Sequence, residues 1–472
     1  MTAPLFDRFR NTLTTKDPVS DIRSGLIGKG LEIPGTAGPR KMIYADYVAS
    51  GRPLRQIEEF VLTEILPYYA NSHTEDSFVG AAVTAMRAQA KDVIRDLCGA
   101  GPEHAVIFTG SGATHGLNRL VHLLGADDPS SNPVVLTGPY EHHSNILPWR
   151  ESGAEVIAIP EADSGGPCLR ALDAALARTK GRRVIGAFSA ASNVSGIVTD
   201  VTEVTRRLKA AGAAAVWDYA GGGPYLPIAM TPADGVEIDA IVLSPHKFVG
   251  GPQASGVLIM RRDAVRSTRP TFPGGGTVVF VSPTAHDYIP DVEAREEAGT
   301  PNVVGDLRAA LVMIVKDVIG QAFITRRNAE LRDRALRAWS GQDRIQILGR
   351  TDCPRLPIFS FEIADGSGGH ICAQSFTRRL SDETGVQARA GCACAGPYGH
   401  QVLHIDPETS ERIRREVQAG DVSNRPGFTR LNFSYLITDA EADEIIRAVT
   451  RLADTPTPKR SAWTRLFRRR AA

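Results

Sequence analysis

From about residue 42 to residue 262 the chain alternates short apolar runs with amphipathic stretches, and nothing else in it constrains the fold as much. The runs are MIYADY, HAVIFTG, PVVLTG, EVIAIP, RVIGAFSAAS, AAVWDY, AIVLSPHK and GVLIMRR. Continuous apolar runs of this length suit strands covered on both faces. Between two of them Val83, Met86, Ala90, Val93, Ile94 and Leu97 recur at the three- and four-residue spacing of one helix face. Another helix opens at Asp200, with Glu203 three residues on in a capping-box spacing, and stops at Gly212. Buried strands joined by helices predict an α/β unit with a mostly parallel sheet, which takes its ligands at the carboxyl ends of the strands.

After residue 300 the pattern changes. A long helical stretch from about Asp306 to Ser340 precedes the strands LPIFSFEI and FTRLNFS, with helices near 371–383 and 439–453. That predicts a smaller α+β unit. The 472 residues then divide into an arm at 1–40 packed on the small unit, a large domain at 41–300, the small domain at 301–455, and a basic tail at 456–472. In the tail Trp463, Leu466 and Phe467 interleave with Lys and Arg, and it reads as a solvated chain end. The segment 395–426 is long for a connector and suits a lid or docking element.

A formal net charge of +1 gives no global field for nucleic acid. No run of about 18 apolar residues would span a membrane. Asp7 and Arg10 stand where a secretory signal needs its apolar core, so a cytoplasmic, reducing setting is expected. The six cysteines are too unevenly spaced for a disulfide framework. Cys98, Cys168, Cys353 and Cys372 stand singly, whereas Cys392 and Cys394 share a glycine-flanked loop. A metal is not expected there, because a tetrahedral site needs further ligands and no second close cysteine pair exists.

Four groups of residues carry chemistry. Lys247, in Ser-Pro-His-Lys-Phe-Val-Gly-Gly, stands just past the apolar run AIVL. A lysine leaving a buried strand is desolvated, which lowers its pKa and makes its amine nucleophilic enough for a Schiff base. Asp218 ends the run AAVWD about one βαβ step earlier, where a carboxylate can keep a pyridinium nitrogen protonated. The turn Thr109 to Thr114 runs through small residues into a helix and offers free N–H groups to a phosphate. Tyr140-Glu141-His142-His143-Ser144-Asn145 again follows a strand, and an imidazole there can stack on a flat heterocycle. Two adjacent histidines do not easily share one role, so one of them is structural.

The glycine-rich turn, the EHHSN box, Ser-Asn-Val-Ser-Gly, the strand-end Asp and SPHK, in this order, resemble the class V aminotransferases of fold type I, which use pyridoxal 5'-phosphate (PLP). Within that group the chain is most similar to cysteine desulfurases and selenocysteine lyases, over roughly residues 40–455. The resemblance implies that Lys247 carries the cofactor, Asp218 pairs with its ring nitrogen, His142 lies over the ring face and Asn193 sits near the ring hydroxyl. It gives the phosphate to Ala113, Thr114, Ser244 and His246. It matches Thr300 to a residue that reaches the phosphate of a partner subunit, which implies a homodimer.

The same resemblance makes Arg389 the clamp of a substrate carboxylate and Cys394, five residues on, the thiol that attacks the substrate sulfur. His73 is a further candidate substrate contact. The Arg-x-Gly-Cys-x-Cys form also looks like molybdenum-cofactor sulfurases. The implied reaction converts L-cysteine to alanine with a persulfide on Cys394, for which a sulfur-acceptor protein would be the partner. Two departures stand out. Gly221 occupies the place of a family Gln that bonds the ring hydroxyl, with Tyr219 or water as a substitute, and the first strand reads YADYVASGR instead of ending in Asn-Ala-Ala. Other class V activities, among them epimerases, transaminases and kynureninases, need Lys247 and Asp218 but no loop cysteine. An idle sulfur carrier would need neither.

Overall fold

The computed structural model describes residues 4–72, 74–422 and 425–455, so His73 and the tail at 456–472 lie outside the described residues. Seven of the eight apolar runs become strands of one sheet. They are β1 (His104–Phe108), β2 (Val134–Thr137), β3 (Glu155–Ala158), β4 (Val184–Ser189), β5 (Ala214–Asp218), β6 (Ala240–Leu243) and β7 (Val257–Arg261). Their order is β1-β7-β6-β5-β4-β2-β3. Only β7 runs antiparallel to its neighbours, and the other pairs are parallel. Strands β1, β2 and β6 are buried along their whole length because helices cover both faces of the sheet.

The helices that matter here are α1 (Leu5–Leu13), α2 (Phe78–Leu97), α3 (Ala113–Leu123), α4 (Val201–Ala210), α5 (Val303–Ile319), α6 (Gln321–Trp339), α7 (Gly396–Val402), α8 (Pro407–Gln418) and α9 (Asp439–Asp454). Helix α2 buries Val83, Ala90 and Ile94 on the expected face. Asp200 caps α4 by accepting from Glu203 N–H at 3.0 Å. The capping box is only half made there, because the Glu203 carboxylate pairs with Arg206 and Arg207 instead.

Three expectations change. The run MIYADY contributes only Ile43–Tyr44, paired in parallel with Val386–Gln387 of the small unit, and Ala45 lies in that unit's core. The stretch from Asp306 to Ser340 is two helices, broken at Gly320, whose φ of 84° no ordinary helix residue adopts. Helix α5 is buried on nearly every side, in one core with α2 and the sheet, so the small unit's own core starts in α6 rather than at 301. The arm follows α5. Leu5, Phe6, Phe9 and Leu13 cover the side of α5 that α2 leaves open, while Arg23, Lys29 and Thr36 reach the small unit, at Leu436 O (2.8 Å), Glu441 (3.3 Å) and Asp382 O (3.0 Å). A helix apolar all round needs cover all round, and the arm supplies it.

The small unit is a four-stranded antiparallel sheet of β8 (Ile345–Ile347), β9 (Ile358–Ile363), β10 (Arg389–Gly391) and β11 (Phe428–Asn432), ordered β8-β9-β11-β10. Its core gathers Trp339, Phe359, Phe361 and Phe433 with the buried face of α9. The segment after β10 forms α7, docked on the large unit through Tyr398 O–H to Ser195 Oγ (3.1 Å), and then α8, which buries no residue. Among the described residues no helix is long and apolar enough to cross a membrane.

Candidate active site

The carboxyl ends of β2, β4, β5 and β6 meet β10 and the loop after it around a cavity of about 240 Å³. Lys247 lies in a single 3₁₀ turn directly after β6, and it lines this cavity together with Asp218, His142, Asn193, Arg389 and Cys394. Burial lowers the Lys247 pKa to about 8; Asp218 opposes the shift, and Arg430 and Arg389 add to it. Asp218 is 4% exposed and accepts Ala220 N–H at 2.7 Å on one oxygen. Burial raises its pKa, with the Ala220 bond and Lys247 acting against the rise.

The EHHSN box divides its work. His142 accepts Ser144 N–H on Nδ1 at 3.1 Å, so its neutral ring carries the proton on Nε2. Burial, and then Lys247, lower its pKa to about 4. His143 is the structural one. Its N–H donates to Cys394 O at 2.8 Å, and its Nε2 accepts Gly396 N–H at 3.0 Å, so it ties the cysteine loop to the large unit. Glu141, pushed to about 7 chiefly by burial, accepts the Ser189 N–H (2.8 Å) and hydroxyl (2.6 Å) beneath the site.

At the head of α3, Ala113 N–H donates to Ser244 Oγ at 3.0 Å, and the Thr114 and Ser144 hydroxyls are 2.7 Å apart. Gly112 has a φ of 101°, and a Cβ there would stand 2.8 Å from His246 Cε1 and 2.9 Å from Ser244 Oγ. Backbone has to come this close for a helix N-terminus to hold an anion between Ser244, His246 and Thr114. Burial, with Lys247, lowers His246 to about 4.

Asn193 donates to Ala393 O at 2.8 Å, while its Oδ1 is buried without a partner. A hydroxyl in the cavity would satisfy that oxygen. At Gly221 a Cβ would meet Ala191 O at 3.4 Å and Asn193 Cβ at 3.7 Å, so the position has room for a side chain that this sequence lacks. Tyr219 does not fill the gap, because it packs in the core beside Cys98 and does not line the cavity.

Two residues at the site escaped the sequence reading. Arg430, in the middle of β11, is 4% exposed; it donates to Asn193 O at 3.1 Å and to Asp46 Oδ1 at 3.2 Å. Arg389 donates to the other oxygen of Asp46 at 3.0 Å. One carboxylate thus holds two guanidinium groups at the cavity wall. The signal was the alternation in FTRLNFS, which puts Arg430 and Asn432 on one strand face opposite Leu431. Thr300 is exposed and does not line this chain's cavity. Among the described residues no group of three His, Cys, Asp or Glu side chains is placed to hold a metal.

These surroundings suit a phosphorylated heteroaromatic aldehyde: a desolvated amine, a buried acid, an orphaned acceptor and an anion cradle around one space. The family profile described as Aminotransferase class-V matches residues 43–436. A probable cysteine desulfurase of Streptomyces coelicolor is 28% identical over 367 residues, covering 76% of this chain and 84% of the relative. A probable cysteine desulfurase 2 of Mycobacterium leprae is 29% identical over 376 residues, with the same shares. Among solved structures, the apo cysteine desulfurase of Thermococcus onnurineus matches with a TM-score of 0.71 at 23% identity, covering 87% of this chain and 94% of that one. A cysteine desulfurase of Escherichia coli matches with a TM-score of 0.71 at 20% identity, covering 93% and 99%. These structural matches give the fold, an α/β unit of fold type I with a small α+β companion.

Proposed function

Because the chain belongs to the class-V aminotransferase family, we propose that it holds PLP on Lys247 and removes sulfur from L-cysteine, leaving alanine and a persulfide on Cys394. One observation carries this reading: Lys247, Asp218, Arg389, Arg430 and Cys394 all line one cavity. Ser244, His246, Ala113 and Thr114 would hold the phosphate, Asp218 the ring nitrogen and Asn193 Oδ1 the ring hydroxyl, with His142 beside the ring. When bound, the cofactor supplies an electron sink that acidifies the substrate α-carbon.

The protein's own groups do the rest. The Lys247 amine, whose pKa burial lowers, would take a proton from the substrate α-carbon and give it back. Arg389 and Arg430 offer planar guanidinium groups to the substrate carboxylate. Cys394 attacks as a thiolate, and the substrate carbon–sulfur bond breaks as a sulfur–sulfur bond forms. Cys394 is exposed, so a sulfur-acceptor protein can reach it. All six cysteines are free thiols, which suits a reducing cytoplasm. The exposed Thr300 and the exposed Val279, Phe280 and Val281, in a strand at Val278–Val281 paired antiparallel with His286–Tyr288, suit a homodimer in which Thr300 serves the partner's phosphate.

Incubating the holoenzyme with L-cysteine tests the proposal. Alanine and sulfide should appear together, Cys394→Ser should lose both while keeping the bound-cofactor spectrum, and Lys247→Ala should lose that spectrum. Undiminished alanine release by Cys394→Ser would refute the persulfide route.

A further inference from the structure

Arg389 and Arg430 stand directly opposite each other where β10 pairs antiparallel with β11. Like charges at facing positions repel, and here a carboxylate joins them. Asp46 Oδ2 accepts Arg389 Nε–H at 3.0 Å, and Asp46 Oδ1 accepts Arg430 Nη2–H at 3.2 Å. The Asp46 side chain is 13% exposed and, unlike the two arginines, does not line the cavity. Its backbone is held in place. The Tyr44 hydroxyl and Ala49 N–H donate to Asp46 O at 3.2 Å and 3.0 Å. On either side, Asn432 of β11 donates its N–H to Ala45 O at 2.8 Å and accepts Val48 N–H on Oδ1 at 3.1 Å.

The two arginines are left with different capacities. Arg430 is buried and also serves Asn193 O at 3.1 Å. Arg389 is half-exposed, and Asp46 takes only its Nε, so Nη1 and Nη2 have no partner among the described residues. That leaves one two-nitrogen edge, the fork that grips a single carboxylate through two parallel bonds. Charge points the same way. Two guanidinium groups against one carboxylate leave this wall with a single net positive charge. His142 and His246, held near 4, are neutral at neutral pH, and Lys247 is taken by the cofactor on the reading above. A second anionic group on a substrate would find no cation to pair with among the described residues lining the cavity. An ion buried without a partner is costly.

We propose that Asp46 is a specificity-determining residue of this site. It consumes one of the two guanidinium charges and leaves one free edge. The site therefore admits α-amino acids with a single carboxylate and turns away those whose side chain carries a second anionic group, such as a carboxylate or a sulfinate. Asp46 acts through the arginines and touches no substrate, so it is a positioning residue. This role rests on the reading that the cavity holds PLP and an amino-acid substrate.

Calorimetric titration of the holoenzyme with butyrate and with succinate, at neutral pH and constant ionic strength, tests it. The two ligands have carbon chains of equal length and no amino group, so they differ in one carboxylate and leave Lys247 undisturbed. Wild-type protein should bind butyrate at least about tenfold more tightly than succinate, the worth of one charged group left without its bond. Asp46→Asn frees a guanidinium charge for a second carboxylate and should reverse the order, while Asp46→Glu should keep the wild-type order. Wild-type protein that binds succinate as tightly as butyrate, or binds neither, overturns the proposal, and this arm needs no variant. A folded Asp46→Asn protein that still prefers butyrate overturns it too. L-Cysteine turnover is measured in parallel. A preference for butyrate without alanine from L-cysteine refutes the desulfurase reading and upholds the role of Asp46. Alanine release with succinate bound as tightly as butyrate refutes the role of Asp46 alone.

Discussion

In the cofactor-free protein the Lys247 amine should titrate near pH 8, where burial and two arginines have pushed it against the opposing pull of Asp218. An ordinary lysine titrates near 10.4, so at pH 7 the neutral fraction rises from about 0.04% to about 9%, a gain of about 200-fold. Trace acetylation with acetic anhydride across a pH series measures this, read by mass spectrometry on the peptide that holds residue 247. Restricted access through the cavity scales every rate by one factor and leaves the midpoint where it is. Replacing Asp218 by Asn removes the one charge that favours the ammonium form strongly, so the midpoint should fall further. Arg430→Gln should move it up. A wild-type midpoint near 10.4, or an upward move in Asp218→Asn, would refute the view that desolvation at the strand end activates this amine.

Gly112→Ala should cut cofactor uptake at least about tenfold, the worth of one charge-assisted bond, because its Cβ would press on His246 and Ser244; far-UV circular dichroism and PLP titration check it. His142 and His246 are both held near 4 by burial. Between about pH 4 and pH 6.5 the unfolded chain therefore binds protons that these rings shed on folding, so their contribution to the stability of the cofactor-free protein rises with pH across that window, while Glu141, held near 7, works the other way. Urea titrations of the wild type and His142→Gln at a series of pH values should give a difference that grows in the wild type's favour from about pH 4 to about pH 6.5, and a difference that shrinks would contradict the assignment. Asp46→Asn strips the buried Arg430 of its carboxylate, which costs about 3–5 kcal/mol where nothing replaces the pair; an unchanged urea midpoint would show that the pair adds little.

Lys247 and Asp218 were legible in the sequence because each follows directly on an apolar run, and parallel neighbours bring such ends together. Asp218 stands opposite Val242 in the β5–β6 ladder, so a residue shortly after β6 has to emerge beside it. The glycine-rich turn at the head of α3 was legible for the same reason, as a strand end that runs through small residues into a helix. Asp46 and Arg430 were not. Their pairing joins residues 384 apart in the chain, one in the loop after a two-residue strand and the other inside an antiparallel strand. Nothing local marks a partner at that distance. The arm's apolar contact with α5 was not legible either, because the α5 side it covers becomes visible only once α2 is docked.

The two adjacent histidines show why local reasoning identified the problem and could not finish it. A strand end leaves consecutive side chains pointing in different directions, so His142 and His143 cannot meet the same ligand. His142 turns into the cavity, and its ring is oriented by Ser144. His143 turns the other way and meets the backbone of a loop about 250 residues later. The loop it meets is the strained one that carries Cys394, and Asn193 grips the same loop from the next strand end over. The cysteine loop is thus held to the cavity by groups that belong to the large unit. Placing a thiol of one unit against an amine of the other requires such ties, because a loop with two left-handed non-glycine residues would otherwise relax.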